Sequence, residues 1–205
     1  MGFKKQPILL DSNQKLFLKV KEIEQISPDS IKGYVSFFST VENKIGGRLN
    51  YDDENELSLQ VLDYFQKISH FKNSSYNTAY KRARAYFNYL VKIDKLENNP
   101  LILMGIKERK EEFNPRPCDT EDLKKLLDVI DTDTYAGLRD YTAILLIVDT
   151  GIRPAEAFRL IETDVVFEKN IINIRKEVAK TSQERVLPVS VKVMIYVRAL
   201  LKYKI

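Results

Sequence analysis

The sequence predicts a mainly α-helical protein of two domains, in which an N-terminal helical bundle precedes a smaller α+β domain with a short antiparallel sheet. Two observations support this prediction. The first half shows apolar residues at helical spacing and no strand pattern of any length, whereas short β-branched segments occur only near the end. Between these regions lies a charged stretch with two prolines, which cannot continue a helix. We therefore predict a helical domain over 1–107, a linker over 108–118 and a second domain over 119–205.

Helix signals divide the first domain into four segments. LFLKVKEIEQI forms the first, and a second runs over about 28–44, from Ser27-Pro28 to the stop at Gly46-Gly47. A third covers about 53–68, with acidic residues near its positive end. The fourth, within SSYNTAYKRARAYFNYLVKIDKLENNP, has the clearest apolar face, and Asn98-Asn99-Pro100 is expected to end it.

The second domain opens with DTEDLKKLLDVI, a helix capped by Asp119 or Thr120, whose leucines and isoleucine are expected to face inward. LRDYTAILLIVDT is apolar nearly all round, so we expect a buried helix that ends at Gly151. The segments DVVF, NIINIRKEV and ERVLPV then predict two or three antiparallel strands. A last helix follows in SVKVMIYVRALLKY. For the helix within DTEDLKKLLDVI, the residues expected to face inward are Leu123, Leu126, Leu127 and Ile130.

Composition excludes several classes of protein. A single cysteine, Cys118, leaves no internal disulfide, and a single histidine, His70, cannot supply a His/Cys zinc cluster. No segment resembles a signal peptide or is long enough to span a membrane, so we expect a cytoplasmic protein without metal or cofactor. The formal net charge of +4 is a mild excess that suits a polyanionic partner but does not establish one.

A polar, basic stripe is predicted on the fourth helix. Its members recur three and four residues apart and therefore share one face, along which phosphates of double-stranded DNA can bind. Any solvated helix face also collects such residues, and the stripe alone favours this second interpretation; the motifs described next change that balance. The stripe consists of Lys81, Arg84, Asn88 and Lys92.

The segment TGIRPAEAFRLIETDV places an arginine at a tight junction between two helices. Gly151 readily adopts the positive φ that ends a helix, and Pro154 suits the first position of the next one. The planar guanidinium of Arg153 can bind two phosphate oxygens, and the amides of the following helix favour the same anion. The alternative for an isolated arginine is a surface position near a helix cap, paired with Glu156.

This segment, followed by an acid and a β-hairpin, resembles the first-arginine box of the tyrosine recombinases, or phage integrase family. That box usually shows an apolar residue, Arg, two residues and then Glu. The resemblance implies that Arg153 is the first catalytic arginine, that Glu156 is the acid supporting it, and that Asp164 is the structural acid before the sheet. Pro154 departs from the family, which more often has a small or aliphatic residue there.

The segment KEVAKTSQERVLPVS is similar to the family's hairpin, in which a lysine precedes a tight β-turn and an Arg-Val-x-Pro strand follows. The resemblance implies that Lys180 is the catalytic lysine, which protonates the leaving 5′-oxygen. PRPCDTEDLKKLL resembles the start of the catalytic domain, and the fourth helix resembles the last long helix of the core-binding domain. The resemblance covers nearly all of residues 28–200.

Members of this family form a 3′-phosphotyrosyl bond to DNA during integration or recombination, without metal or nucleotide cofactor. The resemblance therefore implies double-stranded DNA and other recombinase protomers as partners. Up to Ile205, however, the sequence has no His-x-x-Arg box and no nucleophile segment, and Tyr196 and Tyr203 fall where the family has a structural helix. We therefore expect a truncated N-terminal part of the catalytic domain that binds DNA and does not cleave it alone.

Three functional hypotheses follow. The first is an incomplete recombinase of a mobile element. The second is a non-catalytic DNA-binding regulator, or a partner of a full-length recombinase. The third is an unrelated helical interaction module, which would require both the arginine and the lysine boxes to be coincidental.

Overall fold

The computed structural model describes residues 9–111, 117–180 and 183–203. Its contacts divide the chain into two compact units, Met1–Asn114 and Pro115–Ile205. The predicted fold class is confirmed, because helices dominate both units and three antiparallel strands form one small sheet in the second. The finer boundaries of 107, 108–118 and 119 stay predictions.

The first unit is a helical bundle. Helix α2 begins at Pro28, where the Ser27 side chain accepts a hydrogen bond from the Ser30 amide, and ends at Gly46 with a φ of 79°. Both ends follow the predicted start and stop signals. The helices are α1 (Ser12–Ile23), α2 (Pro28–Ile45), α3 (Glu54–Lys67), α4 (Asn73–Lys92) and α5 (Pro100–Leu103).

One expected helix end was wrong. Helix α4 already ends at Lys92, and Asp94 follows with a φ of 55°. Asn99 and Pro100, which we expected to end α4, instead begin α5. The Asn99 side chain accepts a hydrogen bond from the Leu101 amide at 2.9 Å, and Pro100 occupies the first helical position. The two residues cap the N-terminus of a helix because proline there sacrifices no intrahelical hydrogen bond.

Aromatic side chains fill the core of the first unit. Phe17 of α1 packs edge-on against Tyr34 of α2 and Tyr86 of α4, with ring centroids 5.0 and 5.3 Å apart. Phe38 lies 4.8 Å from Tyr86 in the same manner. Edge-to-face contacts of this kind add directional stability to the burial of apolar area. The core therefore fixes α1, α2 and α4 around Tyr86.

A chain of hydrogen bonds crosses this core. The hydroxyl of Tyr86, whose side chain is fully buried, donates to Tyr51 Oη at 2.9 Å, and Tyr51 donates to Asp11 Oδ2 at 3.0 Å. Asp11 also caps α1 by accepting from the Gln14 amide at 2.7 Å. Burial is the main cause that raises the pKa of both tyrosines, so both hydroxyls stay protonated and available as donors.

The second unit combines helices with a sheet in the order β1-β2-β3. Strand pairing is antiparallel, with Val165 opposite Ile172 and Ile172 opposite Leu187. One-turn 3-10 helices lie at Glu162–Asp164 and Phe167–Lys169. The remaining elements are α6 (Thr120–Asp128), α7 (Tyr135–Thr150), α8 (Pro154–Ala157), β1 (Val165–Val166), β2 (Ile171–Ile174), β3 (Arg185–Pro188) and α9 (Val191–Lys202).

Two burial expectations were wrong in this unit. None of the α6 residues is buried, and Leu126 is 50% exposed, while Leu123, Leu127 and Ile130 are only half-buried. In α7, buried side chains form a single line, Leu138, Thr142 and Leu146. Helical spacing predicts which residues share a face, but the extent of burial of that face depends on the neighbouring elements.

Among the described residues, no helix has both the length and the apolar composition needed to cross a membrane.

Substituting Tyr51→Phe should destabilise the first unit by roughly 1–3 kcal/mol, because the buried Tyr86 hydroxyl loses its acceptor. The double variant Tyr51→Phe/Tyr86→Phe should lose less stability than the sum of the two single changes, since no hydroxyl is left unpaired. Urea unfolding followed by circular dichroism measures all four proteins. Additive losses would contradict the proposed hydrogen-bonded chain.

Candidate functional site

Arg153 lies where α7 turns into α8. Gly151 ends α7 with a φ of 67° and donates its amide to Ile147 O at 2.9 Å, as the predicted turn requires. The next residue, Ile152, is buried in the core of the unit, which anchors the chain immediately before Arg153. The side chain of Arg153 is 48% exposed. The turn therefore presents a guanidinium at the surface from a fixed backbone.

Glu156 is the centre of a cluster of donors. Its side chain is only 1% exposed, and its Oε1 accepts from Arg153 Nη1 at 3.2 Å, from the Lys180 amide at 3.1 Å and from Arg185 Nη1 at 3.3 Å. Its Oε2 accepts from the Arg153 amide at 3.3 Å and from Arg185 Nη2. One carboxylate thus joins α8, β3 and the connection that carries Lys180.

The guanidinium of Arg185 and two backbone amides keep Glu156 ionised. Hydrogen bonding to Arg185 is the largest cause that lowers the pKa of this carboxyl, to about 2, and the amides of Lys180 and Arg153 act in the same direction. Burial opposes the shift. The guanidinium groups are themselves 48% and 31% exposed, so solvent screens both ion pairs. The cluster is therefore a near-surface ion-pair network built on a covered acid.

Lys180 is exposed and follows two buried residues, Val178 and Ala179. These two buried residues and the hydrogen bond from the Lys180 amide to Glu156 fix the backbone of Lys180 beside Arg153. The predicted tight turn after Lys180 falls partly on Thr181 and Ser182, which lie outside the described residues. Since β2 ends at 174 and β3 begins at 185, the connection is longer than a tight hairpin turn.

Asp164 holds the approach to the sheet. Its buried carboxylate accepts from the Ile161 amide at 2.9 Å and from Arg175 Nε at 2.7 Å, while Arg175 Nη2 donates to Arg159 O at 3.1 Å. These bonds join the segment after α8 to the end of β2. Asp164 is therefore placed to support the fold beside the cluster and is not itself part of the Glu156 cluster.

Two arginines of the region carried no prediction. Arg175 pairs with Asp164, and Arg185, the first residue of the Arg-Val-x-Pro strand, pairs with Glu156. The sequence signal that could have indicated these two ion pairs was the prediction of acids beside a packed sheet. A buried carboxylate requires cationic or N–H partners. Local spacing does not identify those partners, because Arg185 lies 29 positions after Glu156.

The helix following Arg153 offers few free amides for the anion binding predicted there. Helix α8 comprises only Pro154–Ala157, and the proline has no amide hydrogen. A single turn has a small dipole, and the Glu156 and Ala157 amides already bond to Arg153 O. An anion at this position would therefore depend on the Arg153 side chain.

A separate cleft of about 280 Å³ in this unit is lined chiefly by apolar side chains of α7, α9 and the segment after α8.

The predicted stripe lies along α4 in the first unit, and all four of its side chains are exposed. Lys81 Nζ is 2.8 Å from Glu108 Oε1, and this hydrogen bond is the main cause that raises the pKa of Lys81. Asn88 accepts from Asn99 Nδ2 at 2.7 Å through its own Oδ1. Lys81 and Asn88 thus have structural partners in addition to their exposed positions.

Residues 108–111 are attached to the same helix. The buried side chain of Asn77 donates to Arg109 O and accepts from the Arg109 amide, both at 2.8 Å, and it donates to Glu111 Oε1 at 2.7 Å. The Arg109 guanidinium lies 3.7 Å from the ring centroid of Tyr76. The predicted linker therefore begins with residues that are fixed to α4.

Known proteins are similar to this chain in sequence and in fold. Residues 118–204 match the model of the phage integrase family. Two curated relatives are the tyrosine recombinases XerC of Staphylococcus aureus strains JH9 and MRSA252, which are 23% and 27% identical to the chain over 184 residues. Residues 118–204 belong to the phage integrase family. In each alignment 85% of this chain matches 58% of the relative, so the chain spans a little over half the length of those proteins.

Solved recombinase structures share the fold. The Tn1549 transposon integrase in complex with transposon right end DNA has a TM-score of 0.62 at 17% identity, with 94% of this chain matched to 65% of that one. A lambda integrase dimer bound to a COC' core site has a TM-score of 0.67 at 14% identity, with 89% matched to 63%. The predicted family is confirmed, whereas the roles of Arg153, Glu156, Asp164 and Lys180 stay predictions.

The variant Glu156→Gln should be less stable than wild type at pH 7 by roughly 1–3 kcal/mol, because two guanidinium groups lose a charged acceptor. The folded pKa of about 2 lies below the ordinary value of 4.5, so the stabilisation is present above pH 4.5 and is lost as the pH falls toward 2. Urea unfolding of both proteins over this range should therefore show a difference that shrinks with acid. The exposed Glu168→Gln is the matched control, and a constant difference for Glu156→Gln would contradict the assignment.

Proposed function

We propose that residues 1–205 form the DNA-binding part of a site-specific tyrosine recombinase, with a basic surface on each unit for the phosphates of duplex DNA. The observation that carries the proposal is the convergence of Arg153, Lys180 and Arg185 on the covered carboxylate of Glu156. Three cationic residues and one acid leave an excess of two positive charges at this surface. A phosphodiester is an anion of matching size and donor requirement.

Arg153 supplies the directed contact in this proposal. Only Nη1 of its guanidinium donates to Glu156, so the remaining N–H groups along the edges of the planar fork are available to a phosphate. Asp164 and Arg175 keep the segment between α8 and β2 in place behind it. The phosphate is thus held by an arginine whose backbone is fixed and whose side chain is oriented by one hydrogen bond to Glu156, which favours charge stabilisation during phosphoryl transfer.

The proposed roles stop short of covalent chemistry for this stretch of sequence. Lys180 is proposed to protonate the leaving 5′-oxygen in the complete reaction, as the family resemblance implies. Within residues 1–205 no His-x-x-Arg sequence occurs. Tyr196 packs against the Tyr141 ring, and the Tyr203 hydroxyl donates to Asp133 O at 3.1 Å. We propose that both tyrosines pack the fold and that these residues alone form no phosphotyrosyl bond.

The α4 stripe is proposed to follow a DNA backbone. Its four exposed side chains are spaced along one face of a helix whose opposite face is packed into the aromatic core. DNA in the Tn1549 complex and the DNA-bound lambda integrase dimer support duplex DNA and further protomers as the partners. Contacts of this type position a protein on DNA and do not read its sequence.

Binding to duplex DNA should fall steeply with salt, and Arg153→Ala, Arg84→Ala and Lys92→Ala should each reduce the slope of log affinity against log salt by about one. Fluorescence anisotropy over a salt series measures this. Lys19→Ala, an exposed lysine on α1, is the matched control and should leave the slope unchanged. Wild-type protein without salt-dependent binding would contradict the proposed function.

Incubation of the same chain with a nicked duplex that traps phosphotyrosyl intermediates should give no covalent protein–DNA product on a denaturing gel. The physical reason is the lack of an assigned nucleophile among residues 1–205. A covalent band that Tyr196→Phe or Tyr203→Phe removes would show that the tyrosine in question has been misassigned as a packing residue.

Glu108→Gln should strengthen DNA binding about two- to fivefold at low salt, because Lys81 is released from its ion pair and a negative charge beside the stripe is removed. Anisotropy titrations of wild type, Glu108→Gln, Lys81→Ala and the double variant measure the effect and its dependence on Lys81. Glu24→Gln, which breaks a similar pair with Lys21 on α1, is the control. Equal or weaker binding by Glu108→Gln would exclude a phosphate contact for Lys81.

A further inference from the structure

Arg185 is the member of the Glu156 cluster that neither the arginine box nor the lysine position accounts for. We propose that Arg185 is a positioning residue that occupies the Glu156 carboxylate, so that the guanidinium of Arg153 stays available to a DNA phosphate. This inference rests on the proposed function of the cluster. It assigns to Arg185 an effect on phosphate binding that acts through Arg153 and not through direct contact with DNA.

The division of hydrogen bonds between the two arginines supports the assignment. Arg185 uses both of its terminal nitrogens on Glu156, one on each carboxylate oxygen. Arg153 uses one, Nη1, at 3.2 Å. Bidentate pairing of guanidinium and carboxylate is the strongest geometry open to the two groups. Arg185 therefore holds the acid by its fork, whereas Arg153 touches it at one corner.

The backbone positions of the two arginines explain why the guanidinium of Arg185 makes two hydrogen bonds to Glu156 and that of Arg153 makes one. Arg185 begins β3 and lies opposite Ile174 of β2, a residue in the core of the unit, so the sheet fixes its position. Arg153 lies at a turn between two helices, and 48% of its side chain is exposed, compared with 31% for Arg185. The more covered arginine is the one committed to the acid. The more exposed one faces solvent, where a phosphate approaches.

Arg185 prevents the Glu156 carboxylate from competing with a phosphate for the Arg153 guanidinium. A carboxylate and a phosphate are competitors for the same guanidinium fork. With Arg185 removed, Glu156 keeps its two backbone donors, and Arg153 is the guanidinium already within hydrogen-bond distance of it. Arg153 would then take the bidentate position, and its charge would be matched by Glu156 before any phosphate arrived.

The decisive experiment is a rescue. Anisotropy titrations with duplex DNA over a salt series compare wild type with Arg153→Gln, Arg185→Gln and Glu156→Gln/Arg185→Gln. Arg185→Gln should weaken binding about tenfold and lower the salt slope by about one, as Arg153→Gln does. Removing the acid as well should return affinity to within about twofold of wild type. Failure of this rescue, or an Arg185→Gln protein that binds as wild type, would overturn the proposal.

Control variants separate this effect from a general loss of structure. Arg139→Gln removes an arginine of the same unit that pairs with Asp140 at 2.8 Å, and it should leave DNA affinity unchanged. Thermal unfolding verifies that each variant is folded at the titration temperature. Arg185→Lys keeps the charge but offers no planar fork, so its affinity should lie between wild type and Arg185→Gln. Affinity equal to Arg185→Gln, in folded protein, would contradict the role of charge.

A measurement without DNA distinguishes failure of this inference from failure of the proposed function. Nitrogen-15 NMR of the arginine side chains reports the rotation and hydrogen exchange of the Arg153 guanidinium. Both should slow several-fold in Arg185→Gln, where Arg153 closes onto Glu156, and recover in the double variant. Unchanged Arg153 signals would overturn the inference even if wild type binds DNA. If rotation and hydrogen exchange of the Arg153 guanidinium slow in Arg185→Gln but the wild-type protein binds no DNA, only the proposed function is refuted. The inference that Arg153 replaces Arg185 on Glu156 then still holds.

Discussion

A carboxylate removed from water must be met by cations or N–H donors, and the second unit meets this requirement for Glu156 from three separate segments. The acid accepts from a turn between helices, from the connection that carries Lys180 and from the first residue of β3. Displacing any one of these segments would leave the buried carboxylate with fewer hydrogen-bond donors. The positions of Arg153 and Lys180 are therefore consequences of satisfying one buried acid.

Buried amides play the corresponding role in the first unit. Asn77 is paired with the backbone of Arg109, and Asn99 links the start of α5 to Asn88 on α4. Both attach irregular segments to a single helix without covering its outer face. Aromatic packing on the inner face, centred on Tyr86, then leaves the basic stripe as the exposed side of α4. The surface proposed to meet DNA is fixed by the groups that lie beneath it.

Much of this organisation could be predicted from sequence because its determinants are local. Serine before proline and glycine after an apolar run gave both ends of α2, and β-branched segments predicted the strands. Asn99-Pro100 was ambiguous, since the residues that stop one helix also start another. The lack of cover over α6 and the pairing of Arg185 with Glu156 depend on residues distant in sequence, which no local pattern reports. Arg153, Glu156 and Lys180 were recognised from a motif, but their shared hydrogen bonds required the fold.

The sharing of one acid by distant residues also has a consequence during synthesis. Glu156 leaves the ribosome together with Arg153, but Arg185 follows 29 positions later. At ordinary rates of translation this interval is on the order of seconds. During this interval Glu156 can pair only with cations made before Arg185, of which Arg153 and Arg159 are the nearest arginines in sequence. The bidentate partner of Glu156 in the folded unit therefore becomes available only once β3 has been made, and the ion-pair network around this acid is completed late in synthesis.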